Sequence, residues 1–368
     1  MLSVEKCTDW FSGLVHLFNV FLLYVPLLLD DYSPSYPTWP QPGDVPSPGQ
    51  DPPSNITQNV QPIPCHSHND YWRQIPLYEA LHYGCTGVEA DVWLFDNDLY
   101  VGHSTNALTR DKTFQSMYID PLVKMLDQQN TPSEFTTLSN NTTSGPKNGI
   151  FQLAPTQTLV LLVDFKNSGP AILPFVDSQL SPLRDRGYLS FYDGHTTHSR
   201  PITVVATGNA PFNLLTANTA YRDIFFDAPL DRLYEPPSPP HPEFNDQLPG
   251  PPLLSPRDGQ GTVGTTPDSV FDASNSYYAS VSFRASIGYL WRGRLSAAQL
   301  ERIRGQVRGA RARGLKARYW STPAWPVGLR NHVWEVLVRE GADVLNGDEL
   351  VEITRVDWRG RRHGGVMG

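Results

Sequence analysis

The chain has 368 residues and a formal net charge of −8 at pH 7. This negative balance argues against nucleic-acid binding, because no motif of stacking aromatic residues accompanies the arginines that the chain carries. Its three cysteines give little redox information and form no structural zinc pattern.

The first predicted element is a hydrophobic segment at residues 10–29, which contains no Asp, Glu, Lys or Arg. A helix of this length spans about 30 Å, so residues 1–29 are predicted to form a signal anchor or transmembrane helix. Lys6 precedes the segment and the next basic residue is Arg73. The positive-inside rule therefore predicts a single-pass membrane protein with a lumenal or extracellular catalytic domain. The predicted glycosylation sites agree with this orientation and are Asn55, Asn140 and Asn141.

Three further segments are predicted to lie outside a folded core. Residues 30–61 are rich in Pro, Ser and Gly and have no periodic hydrophobic pattern, which predicts a disordered tether. Residues 229–268 carry two Pro-rich runs and are interpreted as a flexible insertion near the catalytic mouth. Residues 354–368 form a basic tail.

Between these segments, residues 62–353 are predicted to form one (β/α)8 TIM barrel of the α/β class. Short apolar runs recur along this region and are bounded by turn residues and helical patterns, as in such barrels. The predicted strands are 61–66, 86–92, 158–166, 201–207, 223–228, 277–283, 314–320 and 342–347. The predicted helices are 77–83, 119–127, 175–186, 296–313 and 331–340, and the fourth begins with a capping box at Ser296 and Gln299.

Carboxylates near the ends of two of these strands predict a metal site. Glu89 and Asp91 alternate onto one face of their strand, and Asp164 ends the next apolar run. Clustered carboxylates in a protein interior raise each other's pKa unless a cation neutralises them. A hard divalent cation is the simplest partner for such a cluster.

Three motifs give the region a specific resemblance. They are His-Ser-His-Asn-Asp-Tyr-Trp at residues 66–72, Val-Glu-Ala-Asp-Val-Trp at residues 88–93 and Tyr-Val-Gly-His at residues 100–103. Together they resemble the phospholipase-C-like phosphodiesterase superfamily, which holds the glycerophosphodiester phosphodiesterases and the sphingomyelinase D enzymes. The chain is most similar to its fungal branch, the altered inheritance of mitochondria protein 6 family.

This resemblance implies a role for each matching residue. Glu89, Asp91 and Asp164 would hold one divalent ion, usually Mg²⁺ and sometimes Ca²⁺. His66 and His103 would be the acid/base pair of a phosphoric diester hydrolase or lyase. The implied substrate-binding residues are Lys166, Trp320 and Asn69. Trp320 is equally consistent with core packing.

The implied substrate is a lysophospholipid, a sphingolipid or a glycerophosphodiester, cleaved by a monomer that contacts the membrane through its N-terminal helix. Glycerophosphodiesterases have His-Arg-Gly after the first strand, whereas this chain has His66-Ser67-His68-Asn69. That departure is nearer the sphingomyelinase D form. The family name suggests a mitochondrial association, but the chain has no Arg-rich amphipathic presequence.

Several alternatives stay open from the sequence. His68 is interpreted as a hydrogen-bonded residue at a strand end rather than as a catalyst. The pair His66 and His68 also matches the first-strand metal motif of zinc- or manganese-dependent hydrolase barrels. A third possibility is a catalytically silent barrel that serves as a membrane or organelle-inheritance scaffold.

Cys65 and Cys85 are predicted to lie at opposite ends of neighbouring parallel strands. That separation is too large for a disulfide, and the sequence therefore predicts none between them.

Overall fold

The computed structural model describes residues 13–18, 56–131, 147–237 and 261–358. Eleven strands lie in this part of the chain, and eight of them form a parallel barrel, because β1 pairs with both β11 and β2 and so closes the sheet. The strands are β1 (Ile63–Ser67), β2 (Cys85–Phe95), β3 (Asp98–Val101), β4 (Leu159–Phe165), β5 (Phe191–Tyr192), β6 (Thr197–His198), β7 (Ile202–Gly208), β8 (Ile224–Pro229), β9 (Ser276–Ser282), β10 (Lys316–Trp320) and β11 (Val344–Gly347).

The barrel strands run in the order β1, β2, β4, β7, β8, β9, β10, β11 and back to β1. All eight predicted strand segments overlap these strands, so the predicted (β/α)8 barrel is confirmed. The remaining strands form two antiparallel pairings that the sequence did not predict. β3 pairs with the far end of β2, and β5 pairs with β6.

Helices cover the outside of the barrel. They are α1 (Tyr78–His82), α2 (Asp120–Gln129), α3 (Gly169–Gln179), α4 (Ser181–Asp185), α5 (Phe212–Leu215), α6 (Phe283–Ser286), α7 (Ala297–Ala312), α8 (Val327–Glu340) and α9 (Leu350–Thr354). The predicted capping box opens α7: Gln299 N donates to Ser296 Oγ, and Ser296 N donates to Gln299 Oε1. These two bonds satisfy backbone donors that the first helical turn would leave unpaired.

Two separate apolar cores hold the barrel together. The larger core lies between the strands and the surrounding helices. The smaller core fills the barrel lumen and consists of Val160, Leu162, Val205, Tyr278 and Val344. The next inward position on β4 after Leu162 is Asp164, so the lumen changes from apolar to acidic toward the carboxyl ends of the strands. This is the end at which (β/α)8 proteins carry their functional residues.

The predicted single-pass membrane placement is wrong for the described residues, since none of their helices is long and apolar enough to cross a bilayer. Within the predicted segment, residues 13–18 are helical. The rest of that segment lies outside the described residues, as do the predicted glycosylation sites and most of the tether, of the insertion at 229–268 and of the basic tail.

The prediction about the cysteines is also wrong, because Cys65 and Cys85 form a disulfide with their Cα atoms 4.7 Å apart. Cys85 opens β2 and pairs with Ile63 near the start of β1, and the register shifts between Ile63 and His66. Cys65 therefore lies only two residues beyond the partner of Cys85. The disulfide joins the two strands whose pairing closes the barrel.

Replacing both cysteines with alanine is expected to lower the free energy of unfolding by about 3 kcal/mol, because the cross-link restricts a loop of moderate length in the unfolded chain. The two cysteines are 20 residues apart. Urea denaturation of the wild type and of the double variant measures the difference. Equal midpoints and slopes for the two proteins would contradict the expectation.

Candidate active site

Three buried carboxylates form an acidic cluster at the mouth of the barrel: Glu89, Asp91 and Asp164. Glu89 and Asp91 share the inward face of β2, and Asp91 lies opposite Asp164 in the β2–β4 register. One ligand oxygen from each residue lies within 4.8 Å of the other two. The strand alternation that predicted the cluster therefore places these residues together.

The acidic cluster has the chemistry of a site for a hard divalent cation. Asp91 Oδ1 and Asp164 Oδ1 are buried and find no hydrogen-bond donor among the described residues. Burial raises the pKa of both aspartates, and the neighbouring carboxylates raise it further. Because carboxylate oxygens are the preferred ligands of Mg²⁺ and Ca²⁺, a bound cation would satisfy these oxygens and offset their charge.

Lys166 also contacts the acidic cluster. Its Nζ lies 2.8 Å from Asp91 Oδ2 and 2.7 Å from Asp164 Oδ2. Burial lowers the pKa of Lys166, but the two aspartates outweigh it and hold the pKa above its ordinary value. The ammonium is therefore charged, and it contacts the Oδ2 atom of each aspartate. The Oδ1 atoms are left for a cation, so a cation and Lys166 can share the cluster.

Gly208 leaves open the space that the Asp164 carboxylate occupies. It ends β7 with a φ of +65°, and a Cβ built on it would lie 1.9 Å from Asp164 Oδ1. Only glycine adopts this conformation readily and leaves this space open.

The unpredicted β2–β3 hairpin brings His103 to the acidic cluster. Gly102 N donates to Asp91 O, and Trp93 Nε1 donates to Gly102 O at 2.7 Å, which fixes the turn before His103. His103 Nδ1 then lies 3.4 Å from Asp91 Oδ2, and 55% of its side chain is exposed. The imidazole is thus both next to the cluster and open to a ligand.

Asn69 and Tyr71 connect the loop after β1 to the acidic cluster. Asn69 has left-handed backbone angles, with φ 46° and ψ 46°, and its backbone N donates to Glu89 Oε2 at 3.3 Å. Tyr71 Oη lies 2.6 Å from both Asn69 Oδ1 and Asp91 Oδ2. Burial raises the pKa of Tyr71, and the charge of Asp91 adds to that effect, so the phenol keeps its single proton and can donate it to either acceptor.

The two histidines of the first motif occupy different environments. His66 is fully buried, and its ring packs edge-on against Tyr278 with the ring centroids 5.7 Å apart. Neither of its ring nitrogens has a hydrogen-bond partner in the described part of the chain. Burial lowers the pKa of His66 well below its ordinary value, and the charge of Arg318 lowers it further. His66 is thus a neutral imidazole in the barrel lumen.

His68, by contrast, lies at the mouth of the barrel. Its Nε2 is 4.0 Å from Glu89 Oε2, and 27% of its side chain is exposed. Burial lowers its pKa, but the charges of Glu89 and Asp348 outweigh this and raise it above the ordinary value. The predicted hydrogen bond of this residue is confirmed by a 2.9 Å contact between Nδ1 and Asp348 Oδ1.

Sequence reasoning missed a buried arginine beneath the acidic cluster. Arg318 lies in the lumen on β10, with Nη2 3.5 Å from Glu89 Oε2 and Nη1 3.7 Å from Asp227 Oδ2. Its Nε donates to Asn346 Oδ1 at 3.0 Å. Arg318 lies two residues before Trp320 and therefore on the same face of the strand. A charged residue at an inward-facing position of a barrel strand is the sequence signal that could have identified it. Trp320 itself ends β10 and is half-buried.

The carboxyl group of Asp227 gives the barrel a pH-dependent stability. Burial raises its pKa from 3.8 to about 6, and its Oδ2 accepts a bond from Thr207 Oγ1 at 3.0 Å. The folded state therefore holds this proton more tightly than the unfolded state, and stability falls as pH rises from about 4 to 6.

The wild type and Asp227→Asn should therefore differ in how their free energies of unfolding depend on pH. The wild-type value minus the variant value is expected to fall by up to about 3 kcal/mol between pH 4 and pH 7. Urea unfolding of both proteins at intervals of half a pH unit measures this difference. A difference that stays constant across the range would show that Asp227 has an ordinary pKa.

These features define the class of protein: a (β/α)8 barrel with an acidic cluster at its mouth that could hold a metal ion. A family model described as an AIM6-like phosphodiesterase domain matches residues 54–227, which contain all three carboxylates. The chain belongs to the altered inheritance of mitochondria protein 6 family, and the resemblance found in the sequence is confirmed.

Relatives from several fungi match most of the chain. It is 37% identical to the altered inheritance of mitochondria protein 6 homolog of Arthroderma benhamiae, over 81% of this chain and 85% of the relative. It is 34% identical to the protein of that name from Lachancea thermotolerans, over 82% and 68% of the two chains. Identity to the Saccharomyces cerevisiae protein is 30%, over 81% and 71%. No solved structure matches the chain.

Proposed function

We propose that this protein is a metal-dependent phosphoric diester hydrolase or lyase that acts on a phospholipid- or glycerophosphodiester-type substrate. The observation that carries the proposal is the acidic cluster, in which two buried oxygens have no partner within the described residues while Lys166 and two histidines lie alongside. The name of the matching domain model, a phosphodiesterase domain, agrees with it.

The cation would be held by Glu89, Asp91 and Asp164. When bound, a divalent ion of this kind supplies positive charge to phosphoryl oxygens as negative charge develops on them. Lys166 adds a second positive charge at the same place, since its Nζ contacts two of the three carboxylates. An anionic diester would therefore be attracted to the mouth of the barrel.

We assign the two proton transfers to His68 and His103, which departs from the predicted pair of His66 and His103 and from the interpretation of His68 as a non-catalytic residue. Both imidazoles lie beside the acidic cluster, His68 next to Glu89 and His103 next to Asp91, and both have exposed surface that a substrate can contact. One of them would accept the proton of the attacking hydroxyl and the other would protonate the leaving alcohol, as histidine can near neutral pH. The predicted catalytic role of His66 stays a prediction: its side chain is buried in the lumen, and neither ring nitrogen has a hydrogen-bond partner among the described residues.

The rival metal site needs His66 and His68 as joint ligands. Within the described residues, the clustered ligand set consists of the three carboxylates and includes neither histidine. The geometry therefore favours the phosphodiesterase over a zinc- or manganese-dependent hydrolase.

The test is turnover of lysophosphatidylcholine, sphingomyelin and glycerophosphocholine by the purified full chain, with Mg²⁺ and with a chelator. Metal-dependent turnover is expected, and Glu89→Gln is expected to weaken Mg²⁺ binding measured by calorimetry. His68→Ala and His103→Ala should each lose about 10²- to 10⁴-fold in kcat, whereas His66→Gln should lose less than about tenfold.

Loss of turnover in His66→Gln, with activity retained in His68→Ala, would return the catalytic role to His66. A folded wild-type protein that cleaves none of these diesters would instead support the silent scaffold. Chromatography of the products distinguishes a cyclic phosphate from a hydrolysed one.

A further inference from the structure

Asp348 lies directly after β11, beside the residue that directly follows β1. The two strands are parallel neighbours, with Ser67 opposite Gly347, and His68 N donates to Gly347 O at 3.1 Å. The side chains of His68 and Asp348 therefore leave the barrel at the same level. Their contact, 2.9 Å between Nδ1 and Oδ1, is a consequence of strand register.

The partners of His68 determine which ring nitrogen carries the proton in the neutral imidazole. An ionised carboxylate only accepts hydrogen bonds, so the contact with Asp348 requires a proton on Nδ1. Asn69 Nδ2 also lies near Nδ1, but at 3.3 Å, and a protonated Nδ1 cannot accept from it. The shorter, charge-assisted contact decides between them. Nε2 is then left with its lone pair on the side of Glu89.

Arg73 braces the backbone around Asp348. Its Nη1 donates to Asp348 O, its Nη2 donates to Gly347 O at 3.4 Å, and its Nε donates to Ser67 Oγ at 3.1 Å. One guanidinium thus connects the end of β1 to the end of β11. These bonds hold the backbone from which the Asp348 carboxylate extends toward the imidazole.

We propose that Asp348 is a positioning residue that holds His68 in the Nδ1–H tautomer, with Nε2 turned toward the acidic cluster as a proton acceptor. This inference rests on the proposed function. A purely structural role would be small, because 51% of the Asp348 side chain is exposed and exposed ion pairs contribute only about 0–1 kcal/mol to stability. Removing the Asp348 carboxylate should therefore change the tautomer of His68 and lower the turnover, while the protein still folds.

The experiment compares Asp348→Ala with Asp348→Glu and with Glu349→Ala in the full chain. Glu349 is the matched control, since it is the adjacent exposed acid and does not contact His68 in the described structure. Nitrogen NMR of ¹⁵N-histidine-labelled protein, with His68 assigned from its alanine variant, reports the neutral tautomer directly. The second measurement is kcat, KM and Mg²⁺ affinity on the diester that the wild type cleaves.

Asp348→Ala is expected to lose the Nδ1–H tautomer and about 10- to 100-fold in kcat, with Mg²⁺ affinity unchanged. Asp348→Glu should restore most of both properties, and Glu349→Ala should match the wild type. An Nδ1–H tautomer that persists in Asp348→Ala would overturn the proposal, as would an unchanged kcat. If the wild type cleaves no diester, the proposed function fails, while the tautomer measurement still decides the role of Asp348.

Discussion

Gly208→Ala is expected to weaken Mg²⁺ binding by about 10- to 100-fold while the barrel stays folded. The added Cβ would lie 1.9 Å from Asp164 Oδ1 and 2.9 Å from Phe165 O. Because the second contact is with backbone, the Asp164 carboxylate is the group that must move, and it would leave the acidic cluster. Titration calorimetry with Mg²⁺ measures the affinity, and circular dichroism verifies the fold.

Gly187 offers a matched control for this substitution. It has a φ of +70°, close to the +65° of Gly208, but a Cβ built on it meets nothing within 4 Å. Both alanine substitutions should therefore destabilise the fold by a similar backbone strain of about 1–2 kcal/mol. If Gly187→Ala weakened Mg²⁺ binding as much as Gly208→Ala, the loss would come from strain and not from displacement of Asp164.

The barrel and the acidic cluster could be predicted from the sequence because both depend on short-range periodicity. Buried parallel strands are continuous apolar runs, and alternation along a strand places Glu89 and Asp91 on one face. The match of Asp164 to Asp91 then needs only that the two neighbouring strands be parallel and that their register place these residues opposite each other. The observed register does so.

What the sequence did not reveal depends on register and on depth along a strand. A register shift in the pairing of β1 with β2 brings Cys65 close to Cys85. No local sequence pattern predicts such a shift. His66 and His68 lie two residues apart in the same motif, yet one is buried in the lumen and the other lies at the mouth. Two residues along a strand, roughly 7 Å, separate the two environments.

The interior charge network around Arg318 was missed for a related reason. Its partners Asp227, Asn346 and Glu89 come from three different strands, so only the closed barrel brings them together. A buried arginine without partners would be very costly. The sequence shows the arginine, but not the acids that surround it.

Lys166→Met is expected to have opposite effects on metal binding and on turnover. Lys166 Nζ lies within 2.8 Å of Asp91 and Asp164, and its positive charge opposes that of a cation on the same carboxylates. Its removal should raise Mg²⁺ affinity by about tenfold. Turnover of the diester should fall by about 10²- to 10³-fold, because a charge that stabilises the phosphoryl oxygens is lost.

The same substitution should change stability in a way that depends on the metal. Without Mg²⁺, two buried aspartates lose their cationic partner, and the free energy of unfolding should drop by about 3 kcal/mol. Saturating Mg²⁺ should restore most of that loss, which calorimetric melting with and without the ion measures.

Lys316→Met is the control, since Lys316 lies at the opposite end of the barrel over the ring of Tyr277. A fall in Mg²⁺ affinity in Lys166→Met would mean that Lys166 orders the carboxylates more than it repels the ion, and its role at the site would then be structural.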